Sequence, residues 1–315
     1  MQVARLLAGL ALASALLVAC ADPRGDVDAV TAALRATPGV GSAESSYGEP
    51  TIKHNGDLRF EVDVVAGAAP DDVVAIVRNG LAGLRADSLV ALRGSLELRT
   101  PAGARLTVAG VPPEVPPEVI EAATRSWMAL TAAYPAAEVV VGNGGGQPAE
   151  IDLSGDLPLG WPPPPQGVVE AFAAIENARF PEAATGMWRV GAGEPVDERH
   201  SARWSARTGE GKAVPPAAVQ ETMVALQAVL AGQGESTLEL LWNDFPGQGY
   251  LDVTADIGAE EFRKTPGNQI NSLIAGSVPE RLATELTSRL DASGVPYTIS
   301  ASVFDNDPFL VVERR

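Results

Sequence analysis

The stretch NGDLRFEVDVV, Asn55–Val65, decides how this chain is read. Asn-Gly is a hairpin signal, because both residues tolerate the left-handed backbone that a tight turn demands. The residues after it alternate without a break. Leu58, Phe60, Val62 and Val64 face one side, and Arg59, Glu61 and Asp63 face the other. A period of two with one apolar face is a half-buried strand of an antiparallel sheet. A short strand is expected at 51–54, ahead of the turn. Before it, Val27, Val30 and Leu34 recur at helical spacing and stop at TPGV, 37–40. The local order over 26–67 is therefore helix, strand, strand.

That order recurs. Over 69–110, PDD opens a helix with Val74, Val77, Leu81 and Leu84 on one face, and LVALRGSLELRT and ARLTVAG flank the turn PAG at 101–103. A proline and acidic residues suit a helix N-terminus. A third unit starts at PPEVIEAATRSWMAL, with Ile120, Ala123, Trp127 and Leu130 in line, and continues in AEVVV and AEIDLS. A fourth follows WPPPPQG, 161–167: Val169, Phe172 and Ile175 mark its helix, MWRVGAG and HSARWSAR its strands. A fifth sets Val219, Met223, Leu226 and Leu230 on a stripe before STLELLW and YLDVTADI. The sixth runs from VPERLATELTSRL through YTISASVF to FLVVERR, and 259–277 is an insertion without a clear period.

One αββ unit cannot bury its apolar strand face alone, since an isolated hairpin is marginal. The expected class is thus α+β, with αββ units pairing into two-layer antiparallel sheets that carry helices on one face. This is a circularly permuted ferredoxin-like arrangement. The expected pairs are 26–110, 114–210 and 214–315, with a Pro-rich spacer at 161–165 inside the second; such segments are semi-rigid.

The 315 residues carry a formal charge of −17, and 46% of them are hydrophobic. That supplies ample core. The acidity excludes a nucleic-acid partner, because phosphates require clustered Lys and Arg. It also opposes electrostatic binding to anionic lipid headgroups. Arg outnumbers Lys 20 to 3, the coding bias of a high-GC genome such as an actinobacterial one.

Residues 1–19 have the anatomy of an export signal: Arg5 as the positive region, then an uncharged apolar run, Leu6–Val18. Thirteen residues are too few to span a bilayer, which takes about 20, and suit a cleaved signal peptide. The run ends on Leu17, Val18, Ala19 and Cys20, and Cys20 is the only cysteine. This LVAC resembles the lipobox of bacterial lipoproteins. The resemblance implies cleavage between Ala19 and Cys20, a diacylglyceryl thioether on Cys20, and attachment to the outer face of the cell membrane. Two acyl chains satisfy the physical requirement for stable anchoring. Losing Arg5 takes the charge from −17 to −18. Residues 20–25 form a short tether. With no second cysteine there is no disulfide framework, so the core alone must hold the fold. The first pair of units also resembles BON-type modules of envelope proteins, which place small helices on one face of a sheet.

Sites of chemistry are scarce. GNGGGQ, 142–147, leads into a strand pattern rather than a helix, so it reads as a hairpin turn and not a phosphate cradle. GEGKA, 209–213, lacks the Ser/Thr and the earlier glycine of a P-loop. His54 and His200 stand far apart, and FDNDPF, 304–309, lacks the glycine and distal Glu of a calcium loop. No cofactor, metal or catalytic residue is expected. Trp188, Trp204 and Trp242 lie on strands of the fourth and fifth units. On a sheet face away from the helices they would make a binding surface for sugar rings or an apolar partner; toward the helices they would be core. The expected role is a non-catalytic binding or scaffolding module with an envelope protein or polysaccharide as partner. Two alternatives stand beside it. A transporter's solute-binding lipoprotein would show parallel crossovers around a hinged cleft. An envelope hydrolase would need two carboxyl groups converging in a pocket.

Overall fold

The computed structural model describes residues 23–50, 56–90, 92–110, 115–143, 151–159, 166–181, 184–194, 197–208, 215–230, 236–245, 248–257, 278–303 and 308–314. Among them helix, strand, strand repeats six times. The elements are α1 Arg24–Arg35, β1 Val40–Gly48, β2 Asp57–Val64, α2 Pro70–Leu84, β3 Arg93–Arg99, β4 Arg105–Ala109, α3 Pro117–Ala133, β5 Glu138–Asn143, β6 Ile151–Leu159, α4 Gly167–Ala178, β7 Ala184–Glu194, β8 Asp197–Thr208, α5 Ala217–Leu230, β9 Ser236–Phe245, β10 Gln248–Ile257, α6 Val278–Ser293, β11 Tyr297–Val303 and β12 Pro308–Arg314. Local chemistry sets the helix starts. Pro70 and Pro117 open α2 and α3, where a missing N–H costs nothing, and Asp71, Asp72 and Glu118 sit in first turns that favour negative charge.

The chain divides into two compact units: Met1–Pro101 with Val108–Pro113, and Ala102–Thr107 with Glu114–Arg315. The short β4 contributes to both. In the first unit the Gly110 amide donates to the Gly94 carbonyl at 3.3 Å; in the second, the Arg105 amide donates to the Ala137 carbonyl at 3.0 Å. In the first unit β1 and β2 pair antiparallel, while β2 and β3 pair parallel. In the second, the hairpins β5–β6, β7–β8, β9–β10 and β11–β12 are antiparallel. The strands joined through helices, β6–β7, β8–β9 and β10–β11, are parallel. The strands follow one another in chain order. Segments 114–210 and 214–315 both lie in the second unit.

One expectation needs correction. The sheets are mixed rather than antiparallel. A hairpin reverses the chain, but a helix carries it back to the end it left, so the next strand enters parallel to the last. A ferredoxin-like sheet would place a third strand between the two that a helix links; here the linked strands are hydrogen-bonded neighbours. The described strand ahead of the turn is β1, VGSAESSYG at 40–48, which sequence pattern does not mark; 51–54, where a short strand is expected, lies outside the described residues. β1 has few large apolar side chains, so alternation does not reveal it. Gly56, with φ +80°, makes the turn into β2, and a side chain there would strike the Gly48 carbonyl.

In each unit one sheet face is lined by apolar side chains among the described residues. Leu58, Phe60, Val62, Leu96 and Leu98 are buried in the first unit, and Val190, Leu240, Val253, Ile299 and their neighbours in the second. Helices cover this face, and successive helices touch one another: α1 with α2 in the first unit, and α3 through α6 in the second. Register sets large beside small. Trp188 lies between Gly155 and Ala206, and Ala206 lies between Trp188 and Trp242. The Trp188 ring occupies the space a Cβ on Gly155 would need, and the Trp242 ring does the same at Gly249.

Gly155→Val is expected to cost about 1–3 kcal/mol through overpacking against Trp188, and Trp204→Ala about 3–5 kcal/mol through the cavity it leaves. Chemical denaturation of the two variants measures both. Wild-type midpoints would show that these side chains do not share a packed layer.

Candidate functional site

Strand alternation that buries one face must present the other. On the sheet face away from the helices of each unit, the described side chains are mostly polar and mostly half-buried or exposed: Arg59, Glu61 and Asp63 on β2, Arg203 on β8, Glu239 on β9, Thr254 on β10, with the apolar Val140, Leu241 and Val311 among them. This polar face is the candidate site.

In the first unit it carries an ion-pair network. Glu61 and Glu97 are register partners, two carboxylates side by side on parallel strands. Like charges so placed repel, and two arginines resolve the conflict. Arg99 reaches Glu97 at 2.6 Å and Glu61 at 2.8 Å; Arg59 reaches Glu61 at 3.1 Å and also pairs with Glu97. Ser42 on β1 donates to Asp63 at 2.6 Å. The Glu97 side chain is only 8% exposed. Burial pushes its carboxyl upward, but hydrogen bonds and charge from Arg99 and Arg59 outweigh that and hold it below the ordinary glutamate value. The Arg99 guanidinium is held more firmly protonated, chiefly by its hydrogen bond to Glu97.

In the second unit the balance runs the other way. Asp156 on β6 stands in register with Glu138 on one side and Arg189 on the other. Burial raises its carboxyl above the ordinary aspartate value. The Glu138 charge adds to the rise, and Arg203 and Arg189 oppose it without reversing it. Asp256 is likewise raised by burial, against a hydrogen bond from Thr237, and accepts a bond from Ser302. Ser205 is fully buried on this face and its Oγ has no hydrogen-bond partner. In the first unit the polar face thus holds its central charges paired with one another, whereas in the second it holds Asp156 and Asp256 in partly buried surroundings. Among the described residues no group of three or more His, Cys, Asp or Glu side chains is placed to hold a metal ion.

The tryptophans lie on the opposite face. Trp188 is 1% exposed, Trp204 0% and Trp242 7%. Reading them as a binding surface gives way to reading them as core, because their strand positions put them in line with Leu240 and Val190 under the helices. Phe180 packs on Trp188 with ring centroids 4.8 Å apart. Ala19 and Cys20, His54, the spacer at 161–165, the turn at 144–147, the 209–213 segment, the 259–277 insertion and 304–307 lie outside the described residues. His200 falls on β8. The Glu97 network went unseen in the sequence. Alternation in LRFEVDVV and SLELRT puts all four of its charges on polar positions, but only the parallel register of β2 on β3 joins them.

Glu97→Gln should destabilise the fold by about 1–3 kcal/mol at neutral pH, the worth of charge-assisted hydrogen bonds. A carboxyl lowered on folding contributes fully above its unfolded value and loses that contribution as pH falls through the lower folded one. The gap between wild type and Glu97→Gln is therefore expected to hold above pH 4.5, the ordinary glutamate value, and to close below it. Denaturation series across pH would refute the network's role if the gap were constant.

Comparison with known proteins adds no relative: no family model matches the chain, and neither the curated proteins nor the solved structures give a match.

Proposed function

We propose that this chain is a diacylated lipoprotein on the outer face of the cell membrane, whose array of repeating αββ units serves as a non-catalytic binding or scaffolding module. The single observation that carries the reading is LVAC, Leu17–Cys20, at the end of an uncharged apolar run. The polar sheet face of each unit supports the second half of it: polar strand positions such as the Arg59–Glu61–Glu97–Arg99 network suit contact with an envelope protein or a polysaccharide. Among the described residues no helix is long and apolar enough to cross a membrane. In this reading the bilayer is met through acylated Cys20 alone, and the acidic body stays in water.

The parallel crossovers favour a second reading, a solute-binding lipoprotein of a transporter. In open α/β sheets, however, ligands bind where the strand order reverses. Within each unit the order runs straight through in chain order, so topology builds no such crevice. The first reading is preferred.

Cys20→Ser decides the anchor. Wild type is expected in the membrane fraction, with its mature N-terminal peptide heavier by a diacylglyceryl group in mass spectrometry, and the variant is expected in the soluble fraction. Equal membrane partitioning of both would overturn the anchor and the envelope role with it.

A further inference from the structure

We propose that the polar face of the second unit carries a binding site for a single carboxylate of an acidic polysaccharide, formed by Arg189 on β7 and Arg203 on β8 around Gly191 and Ser205. The proposal deepens the binding-module reading and rests on it, but it does not depend on the lipid anchor. Strand register lays out the site. Arg189 lies opposite Ser205, and Gly191 lies opposite Arg203. The four positions form a square on one face, with the arginines on one diagonal and the two small residues on the other. Diagonal positions of an antiparallel pair are about 7–8 Å apart, within reach of long side chains. The two guanidiniums can therefore close on one anion.

Among the described residues nothing already fills that role. Arg189 and Arg203 are both exposed, and neither makes a hydrogen bond or an ion pair to another described residue. They act on Asp156 through their charge alone. The first unit shows the contrasting case, in which Arg59 and Arg99 both close on Glu97. Between the second unit's arginines the sheet is hollow. Chain neighbours aside, a Cβ built on Gly191 would meet one atom within 4 Å, the Asp156 Oδ1 at 3.8 Å. At the other small corner Ser205 is fully buried, and its Oγ has no hydrogen-bond partner. A buried hydroxyl left unpaired costs free energy, and an acceptor held between the arginines would supply the missing bond.

The chemistry of these groups selects the ligand. Arginine forks match the paired oxygens of a carboxylate. Two rival carboxylates limit the charge that fits: Glu239 stands in register beside Arg203, and Asp156 beside Arg189. Burial and the charge of Glu138, itself paired with Arg105, raise Asp156, so it gives up its charge more readily than an ordinary aspartate. The site suits one negative charge rather than two. Its surroundings favour a sugar over an acidic peptide. Thr254 is exposed on the same face, and Thr298, farther along the row of Ser205, carries a second hydroxyl without a partner. Leu241, next to Ser205 and half-buried, offers an apolar spot for the C–H face of a ring. Repulsion from the rest of the acidic chain is screened beyond about 8 Å at physiological salt.

Isothermal titration of the full chain in detergent with trigalacturonate tests this. Two controls run beside it: the methyl ester of the same trimer, which has no charge, and triglutamate, which has carboxylates but no sugar. Wild type should bind trigalacturonate and bind both controls more weakly. Arg189→Gln and Arg203→Gln should each weaken binding about tenfold or more, since each removes a charge-assisted hydrogen bond. Gly191→Val keeps both arginines but fills the hollow, and should weaken binding as much. The arginines are exposed and Gly191 has room for a side chain, so all three variants should melt like wild type. Absence of trigalacturonate binding by wild type, or equal binding of the ester, would overturn the site. Triglutamate bound as tightly as trigalacturonate would overturn the polysaccharide assignment in favour of an acidic peptide. Trigalacturonate binding that none of the three variants weakens would overturn the site while leaving the binding-module reading in place, so the two fail separately.

Discussion

The pairing of strands across each helix is the constraint from which the rest of this architecture follows. A strand that leaves the sheet through a helix returns beside itself and parallel, and the next hairpin adds one more strand on the same side. In each unit the helices therefore accumulate on one face, and the other face is left to polar residues. The apolar layer then works only if bulky groups on neighbouring strands do not collide. Gly155, Trp188, Ala206 and Trp242 meet that condition by alternating small and large along one row. Leu251 and Tyr297 carry the same row across β10 and β11.

The same constraint shapes the polar face. Parallel register puts Glu61 directly beside Glu97, an arrangement neither strand would favour alone. Arg59 and Arg99 turn the clash into a network with little charge left over. Asp156 has arginines near it but also Glu138 and a partly buried site, so its carboxyl moves in the opposite direction. Two carboxylates on one kind of surface thus differ by environment alone: Glu97 receives hydrogen bonds from its arginines, whereas Asp156 feels Arg203 and Arg189 only through their charge.

Among the described strands β1 and β12 stand first and last in the order. The two are treated differently. β1 carries polar residues and has an outward carbonyl filled by Arg35, whereas β12 carries Val311 in the open.

The sequence by itself determined the unit. Periods of 3.6 and 2 in stretches such as VPPAAVQETMVALQAVL and LRFEVDVV place helices and strands, and the apolar members of those periods, Phe60, Met223 and Ile299 among them, prove to be the buried ones. Periodicity is local, so one segment suffices to read it. LVAC is local too, so the proposed anchor rests on four residues. Tertiary structure decided how the units join, which face Trp188, Trp204 and Trp242 occupy, and which charges meet. Those depend on register between strands tens of residues apart. Alternation says that two sets of side chains face opposite ways, but not which set the helices will cover. β1 escaped notice for a related reason: an edge strand guarded by polar residues lacks the apolar alternation that would reveal it.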